Sequence, residues 1–252
     1  MAYLLGLRHA FDLDHLSAID NTTRRFLNDG KKTNNIGLFF ALGHSTIVVG
    51  LSLVFVLGFR NLGTQLLSEG SPIHKLLVLV GTGVAAIFLV CVALANLGAL
   101  VQIGVQLIAV RRHGYIDENR IANVLASRGA VNRIVQPFMK LVDRPWKMFP
   151  VGLLFGLGLD TATSIALLTA SGSNALGQNN FVVLLALPLV FTAGMALGDS
   201  TNSSIMTKIY QWAMDKPQRR LTVNFGTTFV SIAVAFTCAV PLALSTGSQL
   251  FG

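Results

Sequence analysis

Between Leu76 and Ala109 the chain runs for 34 residues without one charged side chain. About 20 apolar residues suffice to cross the hydrocarbon core of a bilayer. Comparable runs lie at about 1–20, 36–58, 148–170, 180–198 and 222–245, which makes six candidate spans with 76–109. Lipid offers no partner to a backbone amide, so each span has to satisfy its own backbone hydrogen bonds. The expectation is an all-α fold, a polytopic transmembrane helix bundle of about six spans. The third run is long enough to leave the membrane as a cytoplasmic helix. The fifth is apolar only to Leu197, but nothing breaks a helix over 203–212, so it is expected to reach the polar turn at 215–217.

Composition agrees: 52% of the 252 residues are hydrophobic, only 12% are charged, and the mean hydropathy is +0.63. A net charge of +8 could suit a nucleic acid, yet the basic residues do not gather on one soluble face. They alternate between loops. Residues 21–35 hold Arg24, Arg25, Lys31 and Lys32, residues 111–147 hold eight basic side chains, and residues 208–221 hold Lys208, Lys216, Arg219 and Arg220. The loops between are poor in them: 59–75 has only Arg60 and Lys75, and 171–179 has none. By the positive-inside rule the first group faces the cytoplasm, in a multi-pass protein of the cell membrane with no nucleic-acid partner. Both termini then lie outside, an arrangement that normally follows a preceding span, so flanking helices are expected to be missing from this chain.

The organisation expected is therefore membrane helices over 1–110, a cytoplasmic amphipathic loop over 111–147 lying on the lipid surface, and membrane helices over 148–252. Gly152 and Gly156, and likewise Gly194 and Gly198, have the spacing that lets membrane helices approach closely. Pro188 and Pro241 fall inside spans. Cys91 and Cys238 sit in apolar runs and carry no redox message.

Against this apolar background the segment 6–23 stands out. It packs His9, Asp12, Asp14 and His15 into seven residues, with Arg8 beside them. A charged group at the bilayer centre costs at least about 2.5–3.5 kcal/mol, so such a cluster needs a compensating partner. Imidazole with carboxylate suits a borderline divalent cation such as Ni²⁺, Co²⁺ or Zn²⁺. At about 100° per residue, His9, Asp12 and His15 share an arc of about 120° and Asp14 points elsewhere. Either the helix unwinds here, or Asp14 acts through another helix or as the partner of a ligand histidine. The alternative without metal has Arg8 neutralising one Asp and the histidines bonded to backbone.

Few other ionisable groups lie in the spans: His44, Asp160 and Asp199, each followed by hydroxyl residues. Intramembrane groups of this kind mark ion pathways. A bond to a neighbouring helix would also account for His44, and a helix cap for Asp199. Asp20 precedes Arg24 by four residues, the spacing of an ordinary helical ion pair. HExxH, GxSxG and Walker A motifs are absent, so neither an enzyme nor an ATPase is expected.

The octapeptide RHAFDLDH, residues 8–15, resembles the His-x4-Asp-His signature of the nickel/cobalt transporter family, with His9, Asp14 and His15 in the signature positions. Three further blocks are similar and in the same order: LGHSTIVV at 42–49, GLGLDTATSIALL at 156–168 and FTAGMALGDSTNSSIM at 191–206. The resemblance implies a permease of eight helices that moves Ni²⁺ or Co²⁺ inward without ATP hydrolysis. It implies no ATPase subunit and no cofactor, the metal being cargo. The signature helix is the family's second, so the first helix and the last are expected to be missing here. Two departures remove acids that the family usually carries, at Ser164 and at Asn202.

The metal residues expected are thus His9, Asp12, Asp14, His15, His44, Asp160 and Asp199. A sensor that binds the ion without moving it, or an efflux carrier, would use the same groups.

Overall fold

A computed structural model describes residues 1–56, 70–113, 142–157, 181–215, 219, 222–230, 232–234, 236, 237 and 240. Among them the regular structure is helical, with no strand. The helices are α1 (Ala2–His9), α2 (Leu13–Asn28), α3 (Ile36–Val56), α4 (Pro72–His113), α5 (Met148–Gly156) and α6 (Phe181–Met214), with a 3-10 turn at Pro145–Lys147 before α5. Of these, α3 and α4 contain stretches long and apolar enough to cross a membrane, Ile36–Val54 and Pro72–Cys91. At about 1.5 Å per residue the 42 residues of α4 extend about 63 Å, twice the hydrocarbon thickness. α6 continues unbroken past Pro188 to Met214, as its lack of breakers after Leu197 predicts. Asp160, most of the loop 111–147, Cys238 and Pro241 lie outside the described residues.

The first run, 1–20, is not one continuous helix. α1 ends at His9, residues 10–12 turn, and α2 starts at Leu13 with Asp12 in extended conformation at its N-cap. Both halves run along α6 in the same direction. Tyr3 and Gly6 meet Gly194 and Phe191, and further on His15 meets Asp199 and Asp20 meets Tyr210.

α2 stops in a Schellman motif. Gly30, with φ +67°, donates to the Leu27 carbonyl (3.1 Å) and Lys31 to the Phe26 carbonyl (2.7 Å). The chain then reverses into α3, which lies antiparallel to α6: Thr33 bonds Thr207, and Gly37 abuts the Asp199 backbone. Glycines set these approaches. A Cβ at Gly43 would strike the Phe149 carbonyl, one at Gly152 the Phe40 carbonyl, and one at Gly194 the Tyr3 carbonyl. The small-residue pairs at 152/156 and 194/198 are thus the seams between α5 and α3 and between α6 and α1.

Two apolar clusters result. Ala2, Ala41, Val48, Leu51, Phe191 and Met195 form one, and Ile19, Phe26, Ile36, Phe40, Leu89, Met148 and Phe155 the other. Polarity is otherwise inverted relative to a water-soluble protein. His15, His44 and Asp199 are buried, while Leu76, Val80, Ile87, Leu94, Val101, Val105 and Ile108 line an exposed face of α4, as lipid requires.

Candidate metal centre

The break between α1 and α2 is what assembles the site. It ends α1 with His9 and starts α2 so that His15 points in the same direction, and His44 of α3 completes a set of three imidazoles. One nitrogen from each can be chosen so that all three lie within 4.8 Å of one another. The ring centroids are 4.5 Å apart for His9 and His15, 5.0 Å for His9 and His44, and 4.9 Å for His15 and His44. His15 and His44 are buried and His9 is half-buried. Phe40 meets the His15 ring edge-on at 4.8 Å, and Phe191 lies 5.9 Å from His9. The cluster thus sits between the two apolar groups.

Carboxylates hold the rings from outside. His9 Nδ1 donates to Asp12 Oδ2 at 2.5 Å, which leaves its Nε2 facing the His44 Nε2 at 3.3 Å. His15 Nδ1 donates to Asp199 Oδ2 at 3.4 Å, and the His15 Nε2 meets no hydrogen-bond partner among the described residues. The same holds for the His44 Nδ1 and the Asp199 Oδ1. A carboxylate on one ring nitrogen fixes the tautomer and turns the other lone pair towards a metal. Imidazole nitrogens bound to one ion at about 2.1 Å are about 3.4–3.6 Å apart in a tetrahedral or trigonal set, so the widest pair has to close by about an ångström.

Asp14 takes another role. Its Oδ1 accepts the His15 backbone N–H at 2.9 Å, in the first turn of α2. There a carboxylate satisfies an otherwise orphaned amide and complements the positive end of the helix. Of the two alternatives for this segment, the local unwinding is the one observed. Arg8 is exposed and enters none of the contacts just described, so the reading in which it neutralises the cluster loses its basis. Asp199 lies in the interior of α6, so it does not cap a new helix. His44 does bond across helices, but to another metal-competent ring.

Asp20 and Arg24, read from their spacing as a simple helical pair, have further partners that the sequence reading missed. Asp20 accepts a hydrogen bond from Tyr210 at 3.0 Å, and Arg24 donates to Asn21 at 2.6 Å and to Thr228. The spacing of Ser17, Asp20, Asn21 and Arg24, a polar face on a membrane helix, is the signal that could have found them.

An apolar helical exterior around three converging imidazoles, two of them buried and two held by carboxylates, defines a helical protein with an internal cluster of metal-competent groups. A family model described as high-affinity nickel-transport protein matches residues 1–247, and the chain belongs to this family. The family is one of transport proteins, not enzymes. The chain is 42% identical over 234 residues to the nickel transporter NicT of Mycobacterium tuberculosis, covering 93% of this chain and 63% of NicT. It is 40% identical over 237 residues to the hydrogenase nickel incorporation protein HupN of Bradyrhizobium diazoefficiens, covering 93% and 60%. To the cobalt transport protein NhlF of Rhodococcus rhodochrous it is 42% identical over 241 residues, covering 95% and 67%. The chain thus spans about three-fifths of the length of the first two relatives. No solved structure matches it.

Proposed function

We propose that this chain is a secondary permease that takes Ni²⁺, Co²⁺ or both into the cell across the cytoplasmic membrane. The observation that carries the reading is the trio His9, His15 and His44, whose nitrogens converge within 4.8 Å in an apolar surround. The printed names of relatives, nickel for NicT and HupN and cobalt for NhlF, support the cargo. Both ions accept nitrogen and oxygen ligands. In this reading the three histidines replace water on the ion, Asp12 and Asp199 orient His9 and His15, and Asp14 draws the cation to the mouth of the broken helix. Asp160 serves the same pathway.

The chain crosses the membrane six times in this reading, with 1–110 and 148–252 as membrane segments and 111–147 on the cytoplasmic surface. An inside-negative potential favours inward movement of a charge by about 2.3 kcal/mol per 100 mV, hence about 4.6 kcal/mol for a divalent ion, so entry needs no ATP.

The test is uptake of radiolabelled Ni²⁺ and Co²⁺ by cells expressing the chain, with His15→Ala and His44→Ala beside it. Metal accumulation that falls at least tenfold in both variants is the expected result. Accumulation equal to that of cells lacking the chain, despite binding by the purified protein, would make it a sensor instead.

A further inference from the structure

Towards the C-terminal end of α2 lies a second buried polar group. Asp20, Asn21 and Arg24 from α2, Tyr210 from α6, and Asn224 and Thr228 from the helical stretch 222–230 are all buried. Tyr210 donates to Asp20, the Arg24 guanidinium donates to Asn21 and to the Thr228 hydroxyl, and the Asn21 amide donates to the Ser17 carbonyl at 2.7 Å. Three helical segments are thereby tied at one level.

That level is connected to the metal centre. On α2, Asp20 and Arg24 lie about 7.5 and 13 Å beyond His15 along the helix axis. On α6, Asp199, Asn202, Ser203 and Tyr210 recur at helical spacing and are all buried. The Asn202 amide nitrogen and the Asp199 Oδ1 meet no hydrogen-bond partner among the described residues. Tyr210 leans back towards the N-terminus of its helix, as long side chains on helices do, and so reaches Asp20. A polar seam therefore runs between α2 and α6 from the imidazoles to Tyr210. At its end sits a buried guanidinium, whose charge opposes any cation coming down the seam.

We propose that Arg24, held by Asn21 and Thr228 beside the Asp20–Tyr210 pair, is a plug that closes the cytoplasmic end of the metal path. Opening it requires the guanidinium to leave both Asn21 and Thr228, the two groups that hold it. The inference rests on the permease reading for its direction, but closure itself can be measured without transport.

The experiment places a cysteine reporter in the seam, Ser203→Cys, in the full chain with Cys91→Ser and Cys238→Ser. Inside-out membrane vesicles expose the cytoplasmic face to a membrane-impermeant cationic thiol reagent. The reporter should react slowly while Arg24 is present, and at least tenfold faster with Arg24→Gln. Tyr210→Phe and Thr228→Val, which each remove one hydroxyl contact, should give smaller increases in the same direction. They carry the test if Arg24→Gln does not fold, which Ni²⁺ binding by the purified variants reports. Equal labelling rates in folded variants and parent would overturn the plug, as would a parent rate matching that of a cysteine at the exposed Lys31. Faster labelling in a protein that fails to take up Ni²⁺ would support the plug and count against the permease.

Discussion

His15 Nδ1 and Asp199 Oδ2 face each other at 3.4 Å across the contact of α2 with α6, and both side chains are fully buried. The pair joins residues 184 positions apart and leaves the His15 Nε2 without a hydrogen-bond partner among the described residues. Asp199→Asn keeps the shape but removes the anionic acceptor that selects this tautomer. Loss of such an outer carboxylate typically lowers metal affinity about 10–100-fold. Calorimetric titration of the purified protein with Ni²⁺ should show a drop of that size for Asp199→Asn and a larger one for His15→Ala. An Asp199→Asn protein that binds like the parent would remove the carboxylate from the site.

Metal binding to imidazole needs the neutral ring, so protons and the ion compete for the same lone pairs. The ordinary histidine value is about 6.5. Acidification fills the lone pairs, so affinity falls as pH falls through the histidine range and levels off above it. Titrations between pH 5 and 8 in non-coordinating buffer should therefore give a plot of log Kd against pH that slopes at the acid end and flattens at the alkaline end. An affinity that does not change over this range would exclude imidazole ligation.

Where the chain re-enters α5, Lys147 lies 2.7 Å from Asp143 at i, i+4 spacing, and Arg25 of α2 donates to the Val142 carbonyl at 2.8 Å. The hydrogen bond from Lys147 holds the Asp143 carboxyl below the usual carboxylate range, and the Lys147 and Arg144 charges add to it. A lowered value in the folded state stabilises the fold above the ordinary Asp value and ceases to do so as pH falls through the lowered one. Both side chains are solvent-accessible, so the stability effect is small. The titration itself is the readout: Lys147→Met should raise the Asp143 midpoint, followed by carboxyl carbon NMR. The same midpoint in both proteins would show that the pair does not persist in solution.

Much of this architecture is local, and locally encoded features were legible. The run 76–109 reads as a helix long enough to extend past a membrane, and α4 is continuous over Pro72–His113. Helical spacing put His9, Asp12 and His15 on one arc and Asp14 off it, which left a broken helix as one of two solutions, and the break falls at residues 10–12. What crosses between helices was harder to read. Intramembrane acids can be counted along a chain, but which faces meet depends on backbone approaches such as Gly37 against Asp199 and Gly194 against Tyr3. Asp199 could therefore be named as a candidate but not paired with His15. The Asp20–Arg24 spacing pointed to a simple pair on one helix. Tyr210 and Thr228, from segments far along the chain, supply partners that a local pattern does not contain.

The position of His44 depends on how closely α5 lies on α3. Gly43 faces the Phe149 carbonyl and Gly152 faces the Phe40 carbonyl, so a side chain at either glycine must push two backbones apart. Phe40 lies against the His15 ring and Phe155 against Phe40 at 5.4 Å, so the displacement would reach the histidine cluster. Overpacking a tight contact typically costs about 1–3 kcal/mol. Gly152→Leu should lower the thermal midpoint of the detergent-solubilised protein and weaken Ni²⁺ binding together, although residue 152 touches none of the three histidine rings in its role as spacer. A Cβ at Gly50 on the same α3 would meet no atom of the described residues within 4 Å. Gly50→Ala should leave binding intact and hold the midpoint or raise it, since alanine favours a helix over glycine by about 1 kcal/mol. Equal effects of the two substitutions would mean that general helix stability, rather than the α3–α5 spacing, governs where His44 sits.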